Sequence, residues 1–125
     1  MSVLDASALV AYLFEEPGAE AVAGIIDQAC ISSVNFSEVL TRAAKDGFRP
    51  AEFAADIDQF GLQVVPFTTE DALTAASLEP ETRPLGLSLG DRACLSLGLA
   101  RAEPVYTADR IWSELNVGAE IILIR

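Results

Sequence analysis

Short runs rich in branched and apolar residues alternate along this chain with longer helical patterns. That alternation restricts it to an α/β fold with a parallel sheet. Val3-Leu4-Asp5 reads as a short buried strand, and residues 7–14 as a helix that Pro17-Gly18 breaks. Residues 19–28 fit another helix, Ala29-Cys30-Ile31 a second strand, and residues 33–45 a helix ending at Gly47. Pro50 suits the first turn of a further helix that carries Phe53, Ile57 and Phe60 on one face. A third strand over 62–67 precedes a helix over 68–78. Residues 79–87, with two prolines and a glycine, read as the longest loop. A strongly apolar helix over 88–101, a strand over 104–107, a short helix over 109–115 and a last strand over 120–124 complete the pattern.

The 125 residues fit one domain spanning 1–125. At 51% hydrophobic, with a mean hydropathy of +0.35, the chain carries apolar surface that a partner or a second copy is expected to cover. No apolar run reaches the roughly 18–20 residues that span a bilayer. The start Met1-Ser2-Val3-Leu4-Asp5 lacks the basic opening of a signal peptide, so a cytoplasmic location is expected. Cys30 and Cys94 fall in apolar segments and read as small hydrophobes rather than a disulfide.

Two facts narrow the chemistry. The chain contains no histidine, which excludes histidine acid–base catalysis, Ser-His triads and His-ligated zinc. Its net charge is −11, which opposes contact with a polyanion unless positive charge is recruited; divalent cations are the obvious source.

Four acids stand at element junctions. Asp5 closes the first strand and Asp109 follows the fourth, and open parallel sheets bind ligands beyond the carboxyl ends of their strands. Glu38 lies on the helix after the second strand. Asp91 opens the apolar helix, where an unpaired carboxylate is costly and neighbouring Arg92 points another way. Each acid also has a purely structural reading. Asn35-Phe36-Ser37-Glu38 and Ser88-Leu89-Gly90-Asp91 both resemble capping boxes, as does Thr68-Thr69-Glu70-Asp71, and Asp5 and Asp109 suit helix N-caps. Spacing alone leaves both readings open.

Taken together, four strings resemble, in order, the motif regions of PIN-domain ribonuclease toxins of the VapC type. They are Val3-Leu4-Asp5-Ala6-Ser7-Ala8-Leu9, Val34-Asn35-Phe36-Ser37-Glu38-Val39, Leu87-Ser88-Leu89-Gly90-Asp91-Arg92-Ala93-Cys94-Leu95 and Val105-Tyr106-Thr107-Ala108-Asp109. The third is the most specific. The resemblance implies a three-layer α/β/α sandwich around a five-stranded parallel sheet in the order 3-2-1-4-5, with Asp5 beside Asp109. It implies that Asp5, Glu38, Asp91 and Asp109 gather around Mg²⁺ or Mn²⁺. Ser7 and Thr107 match small hydroxyl residues that support the acids, and Asn35 matches a polar position near the second acid. It further implies a homodimer, an RNA substrate, and a cognate antitoxin through which alone DNA is contacted.

Carboxylate ligation suits hard cations such as Mg²⁺ and Mn²⁺. A cation of this kind activates water and stabilises charge on phosphate, so no histidine base is required. Hydrolysis of that class leaves a 5′-phosphate and a 3′-hydroxyl. Asp5 and Asp91 are expected as the main ligands, Asp109 completes the site, and Glu38 ligates or orients the water. Arg42, Lys45 and Arg49 form the basic cluster, either guiding RNA or complementing a helix C-terminus. Phe53, Ile57 and Phe60 are a docking face or ordinary core. The rival readings are a catalytically silent binding module on the same fold and a DNA-directed metal nuclease. A haloacid-dehalogenase-type phosphatase fails on Ser7, where it wants an aspartate, and a receiver domain fails because Lys45 is the only lysine.

Overall fold

Parallel strands cannot be joined by hairpins, so each crossover carries helix, and this chain obeys that constraint throughout. The computed structural model describes residues 1–125. In chain order it contains β1 (Ser2–Leu4), α1 (Ala6–Leu13), α2 (Ala19–Ala23), β2 (Ala29–Ser32), α3 (Ser33–Lys45), α4 (Pro50–Asp58) and β3 (Gln63–Val65). There follow α5 (Thr69–Ser77), α6 (Glu79–Thr82), α7 (Leu89–Arg101), β4 (Val105–Thr107) and β5 (Ile121–Leu123). The sheet runs β3-β2-β1-β4-β5 with every pairing parallel, which is the order expected.

Because strand side chains alternate, each central strand feeds two cores, and both faces of the sheet read as apolar. Leu4 and Ile31 join Leu9, Val22, Val39 and Ile57 beneath α1 to α4. Val3 and Cys30 join Leu95, Val105 and Trp112 beneath α7 and its neighbours. Leu9 and Trp112 are completely buried, so truncating either removes a large part of one layer. Ile57 is likewise core, with Phe53 and Phe60 half-buried against the same cluster. Cys30 and Cys94 are free thiols, both buried. No helix is long and apolar enough to cross a membrane.

Two stretches differ from their sequence reading. Residues 19–28 do not form one helix. α2 stops at Ala23, Ile25 leaves the helical region (φ −129°), and a 3-10 turn over Ile26–Gln28 buries Ile26 before β2 begins. The stretch 79–87 is not a loop, since α6 and a 3-10 turn over Arg83–Leu85 occupy most of it. Pro80 and Pro84 lie in the first turns of these two pieces, where a missing N–H costs nothing. Thr82, fully buried, donates its hydroxyl to Leu78 O at 2.8 Å and secures the turn. A third 3-10 piece, Arg110–Glu114, follows β4.

The order of the sheet reverses between β1 and β4, and the crossover leaves a crevice at the carboxyl ends of such strands. The acids that end β1 and follow β4 therefore share one edge.

Candidate functional site

Asp5 ends β1 as the N-cap of α1, and only 4% of it is exposed. Its Oδ1 accepts from Ala8 N at 2.8 Å and from the Ser7 hydroxyl at 2.7 Å, and its Oδ2 accepts from the Thr107 hydroxyl at 2.5 Å. Three neutral donors do not offset what burial removes. Desolvation pushes the Asp5 pKa up from 3.8 to about 6; the hydrogen bonds from Thr107, Ser7 and Ala8 pull it down, and the charge of Asp91 adds slightly to the rise.

Asp109 is tied to Asp5 through one hydroxyl. Its backbone N–H donates to Thr107 Oγ1 at 3.0 Å, and that hydroxyl donates in turn to Asp5. Ser7 Oγ makes a parallel bridge, accepting from Ala108 N at 2.9 Å while donating to Asp5. The two hydroxyls thus lock the end of β1 to the exit of β4 across a hundred residues. Asp109 itself is exposed and caps the following 3-10 turn, with Oδ1 accepting from Ile111 N at 3.2 Å.

Asp91 is half-buried in the first turn of α7. It forms a reciprocal capping box with Ser88, its Oδ2 accepting from Ser88 N at 2.9 Å. Glu38 is an exposed residue on α3. The capping box expected at Asn35-Phe36-Ser37-Glu38 is absent. Ser32 caps α3 instead, because β2 runs directly into the helix and Asn35 falls inside it. Asn35 is buried and uses its amide to reach Glu38 Oε1 at 2.9 Å and Gly90 O at 2.8 Å. Cys94, on α7, is completely buried. Burial pushes its pKa well up, and the charges of Asp5, Asp91, Cys30 and Glu38 add to the rise.

The donor set can be tested against a hard cation on its own chemistry. No three of these acids are drawn close enough to make a ready-made cage. Like charges oppose that approach, and each outer acid has one oxygen held by its own helix. The other oxygen of each, Asp91 Oδ1, Asp109 Oδ2 and Glu38 Oε2, takes no hydrogen bond from the protein. None of the four acids pairs with a basic side chain; Arg92, the adjacent cation, turns away to Glu79 at 2.9 Å. An all-oxygen set with free carboxylate oxygens and no internal counter-charge fits Mg²⁺ or Mn²⁺.

An open groove of about 570 Å³ runs beside Glu38 along α3, lined also by Ser33, Val34, Ser37 and Thr41. A smaller one, about 250 Å³, lies at the opposite ends of β4 and β5, around Pro104 and Glu120. Of the basic cluster, Arg42 bonds Asp46 at 3.0 Å and stacks over Phe14, and Arg49 pairs with Glu52 at 3.5 Å. Two of its three charges are therefore offset locally. Gly90 was not singled out from the sequence as a site residue, although a glycine inside an otherwise well-formed helix is a signal of close packing.

The sequence matches the PIN domain family over residues 2–118. No curated protein matches it significantly. Among solved structures, it is similar to a toxin–antitoxin complex from Klebsiella pneumoniae, with a TM-score of 0.80, 16% identity, and coverage of 100% of this chain and 98% of the other. DNA-bound VapBC from Salmonella typhimurium gives 0.74 at 20% identity, covering 99% and 98%. VapBC-5 from Mycobacterium tuberculosis gives 0.65 at 22% identity, covering 99% and 97%.

Proposed function

The chain belongs to the PIN domain family, and on that footing we propose that it is the toxin of a type II toxin–antitoxin pair, a Mg²⁺- or Mn²⁺-dependent endoribonuclease. The observation that carries this reading is that Asp5 and Asp109, at the carboxyl edge of β1 and β4, Asp91 of α7 and Glu38 of α3 are offset by no basic side chain. Burying Asp5 beside Asp91 without a counter-charge is unfavourable, as the raised Asp5 pKa records. Acids left without a counter-charge in this way are an advantage only if a cation arrives to draw them together.

Asp5 and Asp91 are the principal ligands in this reading, Asp109 completes the set, and Glu38 ligates or orients the attacking water. Ser7 and Thr107 hold the buried carboxylate in one orientation, so little reorganisation accompanies binding. When bound, the cation supplies an activated water and offsets charge on the scissile phosphate. The chain's own contribution to substrate binding is the open groove beside Glu38, where the Ser33 and Ser37 hydroxyls can donate to a phosphate-bearing strand without adding negative charge, the Thr41 hydroxyl being spent on Ser37 O. With a net charge of −11, non-specific affinity for RNA is weak, and cleavage depends on the cation for attraction as well as chemistry.

The partners follow from the same reading: a second copy of the chain, an RNA substrate, and a cognate antitoxin that alone contacts DNA, all in the cytoplasm. Their support is the similarity to proteins solved as toxin–antitoxin complexes, together with exposed apolar side chains such as Leu73 and Leu89. The test is to incubate purified protein with total RNA, with Mg²⁺ or Mn²⁺ or with chelator, beside Asp5→Asn. Cleavage is expected only for the wild type with metal. Cleavage that persists in chelator or in the variant sinks the reading.

A further inference from the structure

We propose that Gly90 and Asn35 are positioning residues that together fix the Glu38 carboxylate over the first turn of α7; this rests on Glu38 belonging to the proposed metal centre. Gly90 is the second residue of α7 and is buried. Its φ is not positive, so the backbone does not demand glycine there. Space does. A Cβ on Gly90 would overlap Glu38 Oε2 and would stand 2.7 Å from Cδ and 2.8 Å from Oε1 of the same side chain. All three nearest atoms belong to that one carboxylate. Glycine is disfavoured inside a helix relative to alanine, and what its absence of a side chain supplies here is a seat for Glu38.

Asn35 closes the seat from the other side. Its Nδ2 donates to Glu38 Oε1 and to Gly90 O, two groups that can only accept, so the amide has one orientation. Its Oδ1, buried with no protein partner, marks the position as held for the two donated bonds rather than for its own satisfaction. One amide therefore ties α3 to α7 and aims the carboxylate in the same stroke. Glu38 is otherwise an exposed, flexible side chain, and a carboxylate beside the start of a helix is further favoured by the helix dipole. With Oε1 engaged, Oε2 is the oxygen left to face a cation or its water.

The atom in the way of a methyl group at position 90 is the tip of a flexible side chain, so the fold can absorb it by releasing the carboxylate. That separates positioning from folding. Gly90→Ala, Glu38→Gln and the double variant of the full chain would be compared with the wild type. The readouts are Mn²⁺ titration, cleavage of total RNA, and thermal unfolding in chelator. Gly90→Ala is expected to melt no lower than the wild type, yet to match Glu38→Gln in its loss. That loss is about 10–100-fold in Mn²⁺ affinity or cleavage, the range for disturbing a group that orients a metal ligand. The double variant should be no worse than either single one. Asn35→Ala should show the same loss together with a lower melting temperature, since it also cuts the link to Gly90 O.

Wild-type metal affinity and cleavage in Gly90→Ala, beside a defective Glu38→Gln, would overturn the proposal, as would losses that multiply in the double variant. A silent Glu38→Gln overturns it from the other side, because nothing then needs positioning. That case is told apart from failure of the metal reading itself by Asp5→Asn, which must still abolish metal binding if the centre exists.

Discussion

Replacing Asp5 with asparagine should make the metal-free protein more stable, and the gain should depend on pH in a defined way. Asp5 is 4% exposed and its carboxyl pKa is raised from 3.8 to about 6, with desolvation the leading cause. The folded state therefore binds this proton more tightly than the unfolded chain does. Stability from this group is complete below pH 3.8, is lost as pH rises towards 6, and stays lost above it. With about 1.4 kcal/mol for each tenfold change in proton affinity, the full penalty is about 3 kcal/mol, and at pH 4.5 it is about 1 kcal/mol. Asparagine is close in shape, keeps an oxygen for Ala8 N and Ser7, and turns its amide N–H to Thr107, whose hydroxyl then accepts instead of donating, so it removes the charge while retaining the hydrogen-bonding pattern. Urea unfolding of both proteins in chelator, at pH 4.5 and 7.5, reads the difference directly. The variant should be more stable by about 2–3 kcal/mol at pH 7.5, roughly a 10 °C rise in melting temperature for a domain of this size, and by about 1 kcal/mol or less at pH 4.5. Equal stabilities at pH 7.5, or a gap that does not widen with pH, would refute the view that Asp5 is an uncompensated buried charge.

The complementary perturbation is the cation: millimolar Mn²⁺ should raise the melting temperature of the wild type, by about 2.7 kcal/mol of stability at a hundredfold excess over Kd, and leave Asp5→Asn unmoved. Thr107→Val removes the hydroxyl that donates to Asp5 and links it to Asp109, and should lower stability by about 1–3 kcal/mol at pH 7.5, with a smaller loss at pH 4.5, read from the same urea curves. Asp91→Asn keeps an acceptor for Ser88 N, so its stability should change by less than about 1 kcal/mol while RNA cleavage falls; equal activity would leave Asp91 as a cap alone. Gly18→Ala should cost about 2 kcal/mol or more of folding stability, because φ is +97° and a Cβ would meet Ile124 O at 2.7 Å; a stability within 0.5 kcal/mol of wild type, about the size of a neutral surface change, would contradict that packing.

The features that the sequence announced are those whose causes lie within a few residues. Ser88 and Asp91 cap α7 as a reciprocal box, Thr68 and Asp71 do the same for α5, and Asp5 and Asp109 cap the segments that follow them. Each of these bonds spans two or three residues, so spacing alone encodes it. Where local spacing competed with a longer-range demand, the reading failed. Asn35 and Glu38 have capping-box spacing, yet β2 enters α3 through Ser32 and pushes Asn35 inside the helix. Likewise, two prolines suggested a loop over 79–87, while Thr82 and the packing of α5 to α7 wound it into helical turns.

By itself the sequence determined the alternation of strand and helix, the parallel sheet, the strand-end placement of Asp5 and Asp109, and the exclusion of histidine chemistry. These follow from periodicity, chain connectivity and composition, which are properties of the sequence as written. Only the tertiary structure decided that Asp5 loses its solvent, that Thr107 reaches it across 102 residues, and that Asn35 meets Gly90 across 55. Desolvation and contact between distant segments depend on how the layers pack, and without that packing Asp5, Asp91 and Asp109 would be ordinary helix-capping acids. Position along the chain marks all four acids; the raised pKa of Asp5 is a product of the fold.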